Sequence, residues 1–123
     1  MSKRFKGLKI AEANCGVFDY KVILTCGAKD AAQVFARWKH DVPDTVLPEN
    51  SRGLCIHRNG YVPIVWVPEY PNTPKQHATL AHECTHAAWH VLEWADVPIG
   101  RDTEEVLLHT AAFLYSTALT ELK

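Results

Sequence analysis

The sequence predicts a small α+β domain with elements in the order β-α-β-β-α-α, on three observations. Residues 17–25 alternate apolar and polar side chains at the period of a strand. Residues 54–67 hold two β-rich runs split by Asn59-Gly60, and two capped helical patterns follow from Thr73 onward. With 123 residues, 47% of them hydrophobic and 22% charged, the chain has material for one core. One domain over 1–123 is expected, with 1–14 as an N-terminal tail.

In the first strand Phe18, Tyr20, Val22 and Leu24 share one face and Asp19 and Lys21 the other, so it should be half-buried and end at Gly27. Asp30 can cap a helix over 31–39, in which Val34, Phe35 and Trp38 form an apolar stripe. The prolines, Asp44, Asn50 and Gly53 of residues 41–53 predict a surface loop long enough to flank or cover a site. Next, 54–58 and 61–67 read as a hairpin closed by a two-residue turn at Asn59-Gly60. Pro63 has no N–H to donate, which places that part of the second strand at a sheet edge or a bulge.

Thr73, Pro74 and Gln76 spell a T-x-x-Q capping box with proline at the first helical position. The helix they open should run to about residue 95, before Pro98 and Gly100 break the chain. Asp102 and Glu105 form a second box, opening a helix to about residue 119 with Val106, Leu107, Phe113 and Leu114 available for packing. A short sheet packed on these two helices is the expected arrangement.

A formal net charge of -1 leaves no electrostatic footprint for nucleic acid, and Lys3, Arg4, Lys6 and Lys9 read as a solvated basic cluster. No run approaches the ~20 apolar residues of a membrane helix, and the N-terminus lacks the apolar stretch of a signal peptide. A cytoplasmic protein with no nucleic-acid or membrane partner is expected. Cys15, Cys26, Cys55 and Cys84 show no C-x-x-C spacing and read as small buried hydrophobes.

The chemistry concentrates in TLAHECTHAAWH, residues 79–90. His82 and His86 are four apart, so on a helix their imidazoles leave one face a turn apart and can share a zinc ion. Glu83, beside the first ligand, can reach a metal-bound water and take its proton without itself being a ligand. With seven histidines in the chain, H-E-x-x-H arises by chance in only roughly 2–3% of random arrangements, and this one falls inside the best-capped helix.

Two histidines leave a catalytic zinc one protein ligand short. Glu105 is the candidate, with eighteen residues between it and His86, and adjacent Glu104 is the alternative. With the pattern H-E-x-x-H-x18-E the chain resembles the gluzincin branch of zinc metallopeptidases, over residues 73 to about 119. Its length is similar to that of minimal gluzincins, including small proteins of this type encoded by bacteriophages. The resemblance implies a zincin-like fold with the active-site helix followed by a ligand helix, zinc as cofactor, His82, His86 and Glu105 as ligands, and Glu83 as the catalytic base.

His90 extends the histidine face, but helix rise puts its Cα about 12 Å from that of His82, which suits the rim of a site better than coordination. His109 stands where some gluzincins carry an aspartate that orients a metal-binding histidine, so the pattern is broken there. Its imidazole could donate to a ligand or stabilise an oxyanion, and an ordinary packed or surface histidine is the alternative. Tyr61, Tyr70 and Tyr115 are the phenols able to polarise a carbonyl, and the sequence does not choose among them. Cys84 should point away from the histidines into the core.

The expected function is hydrolysis of a peptide or protein substrate by zinc-activated water, the peptide lying extended along an edge strand supplied by 61–67. The alternative is a zinc-stabilised protein-binding module without hydrolytic activity. That reading needs a fourth protein ligand, for which His109, His90 or His77 are available.

Overall fold

The computed structural model describes residues 8–15, 18, 20–27, 53–56 and 62–123. Within them lie four strands, β1 (Lys9–Cys15), β2 (Tyr20–Cys26), β3 (Leu54–Ile56) and β4 (Ile64–Val67). Two helices follow, α1 (Pro74–Trp94) and α2 (Glu104–Glu121), with a single 3-10 turn, Arg101–Thr103, leading into the second. The class is the expected α+β. Expectations for the helix over 31–39, the loop over 41–52, the Asn59-Gly60 turn and Tyr61 lie outside the described residues.

The strands form one sheet in the order β1-β2-β4-β3. β1 runs antiparallel to β2, β2 parallel to β4, and β4 antiparallel to β3. Two expectations change. Residues Lys9–Cys15, assigned to a tail, are a strand whose inward residues Ala11, Ala13 and Cys15 are buried while Glu12 and Asn14 face out. The strand containing 64–67 is interior, and the short β3 lies at the edge beside it, with β1 at the opposite edge. Pro63 is accommodated because it sits just ahead of β4, where its missing N–H costs no ladder bond and its carbonyl accepts from the Ile23 amide at 3.0 Å.

The hairpin pairs Leu54 with Trp66, Cys55 with Val65 and Ile56 with Ile64.

Alternation along the strands sorts their side chains onto two faces. Ala11, Ala13, Cys15, Val22, Leu24, Cys26, Val65 and Val67 meet the helices, packing on Leu80, Cys84, Ala87, Ala88 and Val91 of α1 and on Leu114 and Ala118 of α2. Leu8, Ile23, Ile64 and Trp66 form a second buried cluster on the opposite face. β2 is therefore covered on both sides rather than half-buried.

α1 starts as expected. Thr73 Oγ1 accepts from the Gln76 amide at 3.2 Å, and Gln76 Oε1 accepts from the Thr73 amide at 3.1 Å. It ends with Asp96 at φ 58°, the left-handed conformation that lets the Val97 amide reach back to the Leu92 carbonyl at 2.9 Å. α2 departs from expectation at its start: no Asp102 cap forms, and the Thr103 hydroxyl instead accepts from the Gly100 amide and donates to the Pro98 carbonyl. Of the residues expected to pack, Leu114 is buried, while Val106 and Phe113 are exposed, as is Trp89 on α1.

This face assignment predicts that Leu80→Ala lowers stability by about 2–5 kcal/mol, the cost of a core cavity, while Leu108→Ala stays within about 0.5 kcal/mol. Urea denaturation of the two variants checks both values.

Candidate metal centre

The rotational setting of α1 follows from its core contacts. Leu80, Cys84, Ala87, Ala88 and Val91 face the sheet and α2, and at about 100° per residue His82 and His86 fall on the opposite, exposed side. Glu83 lies on the flank between, 9% exposed. The approach of the sheet fixes that flank. A Cβ placed on Gly53, at the entry to β3, would stand 2.9 Å from Thr79 Cγ2, 3.2 Å from Val67 Cγ1 and 3.3 Å from Glu83 Cγ. Glycine is what lets the edge strand lie this close to the helix.

The two imidazoles converge. Their Nε2 atoms are 3.1 Å apart, with ring centroids at 4.7 Å and planes at 85°. Zinc–imidazole bonds of about 2.0–2.1 Å would make ligand atoms at that separation subtend roughly 95–100° at a shared ion, near the tetrahedral value of about 109°. A metal-free pair at this distance is a hydrogen bond in which one ring donates and the other accepts. A Glu83 carboxylate oxygen joins the two nitrogens in a group whose ligand atoms all lie within 4.8 Å of one another. Residues so placed could hold a metal ion.

Burial raises the pKa of Glu83 above its ordinary value, and the neighbouring His82 and His86 oppose that shift. Beneath it the Cys84 thiol is pushed up to about 12, by burial first and then by the Glu83 charge. Cys55, on β3, is pushed up by the same causes with Cys84 added. Cys84 is fully buried, in keeping with the core role expected of it.

The other sequence candidates stand elsewhere. Glu105 and His109 pair with each other on the surface of α2, Oε2 to Nε2 at 3.3 Å, with side chains 80% and 82% exposed. They face out because Leu107, Ala111, Leu114 and Ala118 turn toward the rest of the molecule, and Glu105 lies about 160° around the helix from Leu107. Glu104 is likewise exposed and outside the His82-Glu83-His86 group. His90 is half-buried and also outside it.

Tyr115 is not turned to the pair. Its hydroxyl lies 2.7 Å from His77 Nδ1, more than a turn before His82. Tyr70 donates to the Leu119 carbonyl at 2.8 Å.

Sequence reasoning overlooked Gly53 as part of the site. The sequence places it at the end of a loop, and its one legible signal is its position immediately ahead of a β-rich run.

No family model, curated protein or solved structure matches this chain. The site's own chemistry is the basis for a functional assignment.

Gly53→Ala should destabilise by about 1–3 kcal/mol, the usual cost of overpacking, and adding Thr79→Ser should recover part of it because Thr79 Cγ2 is the nearest obstacle. Thermal melts of the single and double variants check this. In metal-free protein, the raised pKa means that stability is fully present below the ordinary value of 4.5 and is lost as pH rises through the folded value. Glu83→Gln should therefore gain stability relative to wild type as pH rises from 4.5 to 8, measured in chelator.

Proposed function

We propose that this chain is a zinc-dependent metallopeptidase, with His82 and His86 holding the ion and Glu83 as general base. The convergence of two Nε2 atoms at 3.1 Å beside a largely buried carboxylate supports the reading most directly. Zinc bound there would supply a Lewis acid that acidifies water and polarises the substrate carbonyl.

Glu83 takes the proton of the attacking water and delivers it to the leaving amine. Burial prepares it for this, since a carboxylate with raised proton affinity is the stronger acceptor. Its stem lies close to the entry to β3, where a Cβ on Gly53 would stand 3.3 Å from Glu83 Cγ. An extended substrate would lie along β3, the edge strand nearest Glu83, rather than along 61–67 as expected, because the β4 part of that segment is bonded on both sides. Glu105 remains the proposed third ligand on the x18 spacing, with Glu104 as the alternative, and it would have to leave its His109 contact on the surface of α2 to reach the ion.

The binding-module alternative requires a closed site of four protein ligands. Of its candidates, His77 is bonded to Tyr115, which favours the hydrolase. Among the described residues no helix is long and apolar enough to cross a membrane.

Purified protein should bind one zinc per chain by elemental analysis, and His82→Ala or His86→Ala should abolish retention on dialysis. Glu83→Gln should retain zinc but lose peptide turnover by roughly 10²–10⁴-fold, the typical contribution of a general base. Zinc retention by the His82→Ala,His86→Ala double variant, or undiminished turnover by Glu83→Gln, would remove the assignment. Glu105→Ala should weaken zinc binding more than Glu104→Ala in equilibrium competition with a chelator.

A further inference from the structure

A cleft of about 310 Å³ opens beside the first turns of α1, between that helix and the end of β4. It adjoins the candidate base: a Cβ built on Gly53 would meet Glu83 Cγ, Val67 Cγ1 and Thr79 Cγ2 alike, within 3.3 Å of each, and Val67 and Thr79 are walls of the cleft. We propose that this cleft is the specificity pocket of the site, receiving a bulky apolar side chain of the substrate close to the bond on which Glu83 acts. The proposal rests on the hydrolase reading.

Size and chemistry decide what the cleft takes. At about 310 Å³ it stands at the lower limit of the roughly 300–1,000 Å³ usual for small-molecule sites, so it suits one large side chain better than a cofactor.

Several polar groups of its wall, those of Gln76, Thr73 and Thr79, are engaged with neighbours. Gln76 Oε1 accepts from the Asn72 and Thr73 amides at 2.7 and 3.1 Å, and Gln76 Nε2 donates to Glu69 Oε1 at 2.6 Å. The Thr79 hydroxyl donates to the Lys75 carbonyl at 3.1 Å, which turns the Thr79 methyl toward Gly53. A guest that brought a hydrogen-bonding group would have to break these contacts, whereas an apolar guest meets Val67, Pro68 and the Thr79 methyl without doing so. Lys75 and Glu69 place opposite charges in the same cleft, so neither sign of guest is favoured by net charge.

The test uses full-length Glu83→Gln protein loaded with zinc and a blocked hexaglycine peptide carrying Phe, Leu, Glu or Lys at one position. The Phe and Leu peptides should bind at least tenfold more tightly than plain hexaglycine, Glu and Lys peptides should not, and amide NMR shifts should centre on Val67 and Thr79. Thr79→Met, which fills the cleft, should weaken Phe-peptide binding at least fivefold. Equal affinities across the set, shifts centred elsewhere, or no binding by any peptide would overturn the pocket. Failure of the hydrolase reading shows separately, as absent zinc retention or absent wild-type turnover, because the binding arm does not depend on turnover.

Discussion

The rotational setting of α1 governs everything else in the molecule. Cys84 is fully buried against the sheet, and once it is seated there the helix has no freedom about its axis. Glu83, one step away, is carried to the seam where β3 meets the helix, and His82 and His86 are carried out to solvent. A single turn thus combines a side chain locked in packing, a carboxylate partly stripped of water and two imidazoles open to a ligand.

The sheet secures that setting from the other side. β4 is tied to β2 in parallel and to β3 in antiparallel fashion, so the strand beneath α1 is held along both edges. β1 presents small inward residues, Ala11, Ala13 and Cys15, which let α2 approach the sheet and wedge against α1. The helix pair is further joined by Tyr115 to His77, while Tyr70 ties the approach to α1 onto the end of α2. These polar links brace the scaffold around the site and engage the Tyr115 and Tyr70 hydroxyls.

Legibility followed the strength of the local signal. The capping box at Thr73, the end of α1 near residue 95 and the pairing of the two runs around residue 60 were readable because each rests on short-range chemistry. β1 escaped notice because alanine and cysteine on its inner face give little hydrophobic contrast with Glu12 and Asn14. The choice of edge strand could not be read from Pro63, since the crossover that pairs β4 with β2 is a long-range fact. On α2, Val106, Leu107, Leu108, Phe113 and Leu114 surround the helix, so periodicity alone did not select the side that turns inward. The H-E-x-x-H turn was legible as a motif, and the 3.1 Å convergence gave it geometry. The position of Glu105 depended on that undetermined face of α2.

The brevity of β3 has a consequence for the protein's own solubility. A rim of only three residues offers another sheet too few backbone groups to seed stacking into fibrils, yet it leaves room for one extended segment to rest against it for a moment. The chain can expose such a strand without inviting copies of itself to polymerise along it.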